Sequence, residues 1–158
     1  MFCIMMSEML GNQYFLARNY ANAAKNLQYA LDIDPLSKPV RKKLVICYLQ
    51  IGEIQNALNI FYNLILEDID CIINTEPVSD DCPCPKLVAH YGTIIPYEEN
   101  SADLKIMLGM LWLYCDINKS LSFFKSAEKM KPDDELIKSI SSIIENKLSL
   151  INKLNKQS

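Results

Sequence analysis

The sequence predicts an all-α chain: an array of helical hairpins of the α-solenoid kind, closed by a C-terminal capping helix. Three observations predict it. Leu10, Tyr14, Ala23 and Leu27 recur 34 residues later as Leu44, Tyr48, Ala57 and Phe61. Apolar residues fall at helical spacing between breaks at Arg18-Asn19, Pro35, Gly52 and Pro132. A long stretch after Pro132 alternates isoleucine and leucine with polar residues in the same rhythm. A unit that repeats in this way cannot bury its apolar face alone, so it must stack on a neighbour.

The first helix runs from about Met5 to Ala17 and ends at Arg18-Asn19. A second follows with Tyr20, Ala23, Ala24, Leu27, Ala30 and Leu31 on one stripe. Pro35 stops it, because proline inside a helix loses a hydrogen bond and clashes with the preceding turn. Gly11 and Ala23 are small where the two helices must cross closely, and Tyr14, Leu27 and Ala30 fill the contact. The second hairpin repeats this plan, with Gly52 between its helices, where a left-handed turn is useful. Residues 101–134 carry Met107, Leu111, Ile117, Ser120, Phe124, Ala127 and Pro132 at matching offsets. The 29 residues 72–100 then read as an insertion, with a short helix near Lys86–Tyr91. Asp133-Asp134-Glu135 sets acids at a helix start, where the helix dipole favours them. Ile137, Ile140, Ile144, Leu148, Ile151 and Leu154 continue to about Asn155 as a half-polar capping helix over about 133–155. Its length exceeds what a cap requires, and the excess reads as an oligomerisation surface or a frayed tail.

Leu10-Gly11, Tyr14, Ala23, Leu27, Ala30 and Pro35 together resemble the tetratricopeptide repeat. Residues 4–37 match its signature except at the opening tryptophan, where Ser7 stands. Residues 38–71 keep Leu44, Tyr48, Gly52, Ala57 and Phe61, with Val45 for the small glycine and Ile69 for the closing proline. In the third copy, Leu108 and Ser120 replace the glycine and the first alanine. The expected organisation is a single domain, 1–158, with three repeats, the insertion and the cap.

Composition and charge set limits. Apolar residues make up 50% and charged residues 22% of the 158 residues, so disorder is not the expected state. No run of 18 uncharged apolar residues exists, so no membrane span is expected. Met1-Phe2-Cys3-Ile4-Met5-Met6 lacks a basic start and runs into a repeat helix, so we expect no secretory leader and a cytoplasmic location. Net charge is −3, and it is uneven: residues 67–100 hold eight acidic side chains and one basic, Lys86. No basic patch with interleaved aromatics appears, which argues against nucleic-acid binding. Arg41, Lys42 and Lys43 form the one compact basic cluster, expected as a solvated helix face. There is no glycine-rich phosphate loop, no HExxH helix and no G-x-S-x-G elbow, so no enzyme is expected.

Six cysteines are present. Cys3, Cys47 and Cys115 read as small core side chains or helix-end residues. Cys71, Cys82 and Cys84 lie in or beside the insertion, with His90, the single histidine, close by. These four could hold zinc tetrahedrally, although paired zinc cysteines usually have two or more residues between them and Cys82-Pro83-Cys84 has one. A disulfide from Cys71 to Cys82 or Cys84, or reduced thiols throughout, are the alternatives.

The resemblance implies a concave groove lined by the first helix of each repeat. It places Met5, Glu8, Asn12, Phe15 and Leu16 there in repeat one. Repeat two would contribute Lys42, Ile46, Leu49 and Gln50, and repeat three Lys105, Gly109, Trp112 and Leu113. Family members that hold acidic chaperone tails use a clamp of basic residues and asparagines. Asn12 and Lys105 fit that clamp, but Glu8 and Ile46 depart from it. A mostly apolar groove suits an apolar or amphipathic protein segment instead. The other reading of Phe15, Leu49 and Trp112 is that they pack between repeats. The implied function is an adaptor or scaffold that binds a partner segment. Alternatives are a metal- or redox-responsive module in the cysteine-rich insertion and a small secretion-type chaperone, which the chain resembles in size.

Overall fold

The computed structural model describes residues 2–158, the side chains of Phe2 and Ile4 aside. Met1, the first residue of the segment read above as no leader, lies outside them. Among the described residues there are nine helices and no strand. They are α1 (Phe2–Leu16), α2 (Tyr20–Ile33), α3 (Lys38–Gln50), α4 (Ile54–Asp68), α5 (Asp70–Ile73), α6 (Cys84–Gly92), α7 (Ala102–Leu113), α8 (Ile117–Met130) and α9 (Glu135–Gln157). The chain divides into two compact units, residues 1–67 and 68–158.

In the first unit α1 packs along α2, and α2 along α3. Gly11 sets the closeness of the first crossing: a Cβ there would stand 2.7 Å from the Leu27 side chain. Ala23, Leu27 and Ala30 are buried beneath it, as their spacing predicts. Tyr48 ties α3 to α2, its hydroxyl donating to Gln28 Oε1 at 2.6 Å. Both hairpin turns close alike. The Asn19 amide donates to the Tyr14 carbonyl at 2.9 Å, and the Glu53 amide to the Tyr48 carbonyl at 2.8 Å. This closure requires a left-handed residue just after the helix. Arg18 (φ 60°) fills that place in the first turn and Gly52 (φ 83°) in the second, 34 positions later.

In the second unit α7 packs along α8, α8 along α9, and the insertion helix α6 along α7. Caps mark the starts. Ser101 Oγ accepts from the Leu104 amide, and Asp116 from Asn118 and Lys119. Asp134 accepts from Leu136 and Ile137, which fixes the start of α9 among the three acids. Ile137, Ile140 and Ile144 bury one stripe of α9, whereas Leu150 and Leu154 near its end are exposed. Lys125 on α8 joins Glu145 on α9 at 3.1 Å, and Lys147 joins Asp70 at 2.8 Å. The Glu145 hydrogen bond is the main cause that raises the Lys125 pKa.

The third hairpin differs from the first by one residue at its turn. The Asp116 amide donates to the Trp112 carbonyl, four residues back rather than five. The small residue at the crossing moves with it. A Cβ on Gly109 would stand 2.8 Å from the Phe124 ring, so Gly109 and not residue 108 does the work of Gly11. Ser120 Oγ donates to the Gly109 carbonyl at 2.6 Å inside this contact. Leu108 is fully buried.

Candidate functional site

An interaction surface on a helical hairpin is the side of its first helix that the second does not cover. On α1 that side is apolar. Met5, Met9 and Leu16 are 63%, 58% and 52% exposed. With Asn12 they sit at the i, i+4, i+7 and i+11 spacing of one helix face, roughly opposite Gly11. Glu8 and Asn12 are half-buried beside them, and Lys43 Nζ donates to Asn12 Oδ1 at 2.7 Å. Methionine suits such a surface, since its unbranched, polarisable chain adapts to different partners.

The other residues expected in the groove are placed differently. Phe15 is buried at the α1–α2 turn, edge-on to Tyr20 at 6.2 Å. The cations of Arg18 and Lys43 stand 5.7 Å and 5.9 Å from its ring centre. Ile46 and Leu49 are buried too, because α3 is covered on several sides: Val40, Leu44, Val45 and Cys47 are buried with them. Of the two readings of Phe15 and Leu49, packing is the one that matches their burial. Lys42 and Lys105 are half-buried. Gly109 and Leu113 are buried, Gly109 against Phe124, because α6 and α8 both pack on α7. Trp112 is half-buried, with Lys119 Nζ 4.1 Å from its ring centre.

The basic cluster on α3 is not a solvated face. Arg41 is buried and donates to Glu67 at 2.8 Å and to the Leu36 carbonyl at 2.9 Å. Pattern alone hid this, since the acid that receives it lies 26 residues away on α4.

Cys82 and Cys84 are joined by a disulfide, so neither pairs with Cys71, which is half-buried. His90 is exposed and stacks edge-on with Tyr91 at 5.2 Å. Among the described residues no three histidine, cysteine, aspartate or glutamate side chains gather as a metal site. Burial pushes the Cys47 thiol up to about 12, which keeps it protonated and unreactive at neutral pH. Burial, and then the charge of Asp116, raise Cys115 as well.

Comparison with known proteins agrees with this helical architecture. A tetratricopeptide-repeat family model matches residues 14–70, which span α2, α3 and α4. Residues 14–70 are thus similar to tetratricopeptide repeats, units that generally mediate protein–protein interaction and are typically not catalytic. Neither a curated protein nor a solved structure matches it. Among the described residues no helix is long and apolar enough to cross a membrane.

Proposed function

We propose that this protein is an adaptor whose α1 face receives an apolar or amphipathic segment of a partner protein. The observation that carries the reading is the exposed row Met5, Met9 and Leu16 on the first helix of a repeat. Glu8, Asn12 and the Lys43 that donates to Asn12 would give that row a polar border, and a partner helix would lay its own apolar face along it. Repeats at about 4–37, 38–71 and 101–134 with a capping helix remain the organisation we propose for the chain. A photo-crosslinking amino acid at position 9 tests the reading, with position 25 on the exposed side of α2 as control. We expect one set of adducts from position 9 only, lost on Leu16→Glu with an unchanged melting curve. Equal adducts from both positions would refute it.

The disulfide between Cys82 and Cys84 favours a second reading, a redox-responsive insertion. Opening the bond takes two electrons from a thiol reductant and frees both sulfurs, and zinc binding at Cys71, Cys82, Cys84 and His90 would first require that step. Alkylation followed by mass measurement, with and without reductant, tests it. Two extra alkyl groups after mild reduction of the folded protein are expected, and none would exclude it.

A further inference from the structure

The second unit holds a cavity of about 290 Å³ that the proposed adaptor surface does not use. Its wall is built from the end of α5 and the loop after it, the start of α6, and the end of α7. Ile73 and Val88 make it aliphatic, and Pro77, Pro85 and Trp112 give it flat ring faces. Lys119 holds the indole from above. Ligand sites are usually ~300–1,000 Å³, apolar, with a few placed polar groups. This cavity lies at the small end of that range, large enough for a single ring-sized group.

Thr75 supplies a polar group, beside Tyr114 and Cys115, which also line the cavity. Thr75 is 7% exposed, lines the cavity, and its hydroxyl has no hydrogen-bond partner. Buried hydroxyls are nearly always paired, so an orphan needs an explanation. The backbone fixes the residue, since the Thr75 amide donates to the Ile72 carbonyl at 3.1 Å. The side chain keeps its freedom: one staggered step about Cα–Cβ exchanges the hydroxyl for the methyl group or the hydrogen. The hydroxyl is enclosed in the wall as it stands, and that step lets it meet a ligand in the cavity.

We propose that this cavity binds a ring-sized, mainly apolar ligand bearing one hydroxyl, of which a phenol is the simplest member. The ring packs on the indole and proline faces, which favour flat groups. The ligand hydroxyl pairs with Thr75, and a group that both donates and accepts matches the threonine hydroxyl in either direction. Free small phenols and the tyrosyl side chain of a peptide share this chemistry.

Trp112 is the single tryptophan, so its indole N–H resonance reports the cavity without ambiguity. The full chain, labelled with nitrogen-15, is titrated with p-cresol, with toluene and with N-acetyl-tyrosine amide. A saturable shift is expected for p-cresol, about tenfold tighter than toluene, the worth of one hydrogen bond. Thr75→Val should erase that tenfold preference and should not lower the melting temperature. Thr75→Ser, which keeps the hydroxyl, should retain the preference. Binding of the tyrosine amide as well would identify a peptide side chain as the ligand, and binding of p-cresol alone a free phenol. No saturable shift with p-cresol would overturn the proposal. So would a preference over toluene that survives Thr75→Val, since a trapped water, not the ligand, would then be the partner of the hydroxyl.

Discussion

Helices α1 and α7 open hairpins of the same design, yet their surroundings are opposite. Each crosses its partner over a glycine, Gly11 against Leu27 and Gly109 against Phe124. But α1 keeps an open apolar side at Met5, Met9 and Leu16. In α7, Leu104, Ile106 to Leu111 and Leu113 are all buried, because α6 packs on it as well as α8. The insertion thus gives α7 a neighbour from its own chain, where α1 has room for another. A repeat helix is a binding surface only when nothing nearer in sequence has claimed its outer side. Composition does not record this: α1 and α7 are both apolar almost all round, and what separates them is the packing of α6 on α7.

The largest expected effect tests the glycine pairing. Offset matching aligns Leu108 with Gly11, and the fold aligns Gly109 with it. Leu108→Ala leaves a cavity in a closed core and should cost ~2–5 kcal/mol. Gly11→Ala and Gly109→Ala push a methyl group into a buried side chain and should each cost ~1–3 kcal/mol. Urea midpoints of the three variants measure this. A neutral Gly109→Ala beside a costly Gly11→Ala would break the equivalence of the two crossings.

Much of the fold was legible because its signal is local. The 34-residue self-match placed the first four helices, and Ala23, Leu27, Ala57 and Phe61 are fully or almost fully buried as that match requires. Asp134 capped the last helix where the acids cluster. The candidate site was legible only in part, for physical reasons that differ by residue. Phe15 lies on a face that the family resemblance assigns to the groove, but Tyr20 and Lys43 close over it. Arg41 looks solvated until Glu67 is placed beside it. Gly109 was misread because the third turn is one residue shorter, which no fixed period can register. The absence of the small residue at position 108, with a glycine one place later, was the available clue. Thr75 gave no signal, since an unpaired buried hydroxyl exists only once the wall around it is built.

A smaller effect sharpens the comparison of the two left-handed turn residues, Gly52 and Arg18. Gly52 has φ 83° and no atom within 4 Å of where a Cβ would stand. Gly52→Ala therefore isolates backbone strain, ~1–2 kcal/mol for a left-handed residue, less the ~0.4–1 kcal/mol that alanine returns by restricting the unfolded chain. A net loss of ~1 kcal/mol is expected. Arg18 carries the same strain at φ 60°, offset by its contacts with Phe15: the guanidinium over the ring at 5.7 Å and Nη1 donating to the carbonyl at 3.4 Å. Such an exposed cation over a ring contributes ~0.5–1 kcal/mol. Arg18→Gly removes both the strain and the contacts, so its midpoint should shift by no more than ~0.5 kcal/mol in either direction. Arg18→Ala keeps the strain and loses the contacts, so it should be the less stable of the two by ~1 kcal/mol. Equal midpoints for Arg18→Gly and Arg18→Ala would mean that the left-handed backbone at this turn costs no more than the ~0.4–1 kcal/mol that alanine returns by restricting the unfolded chain. The first hairpin would then not be held by the same closure as the second.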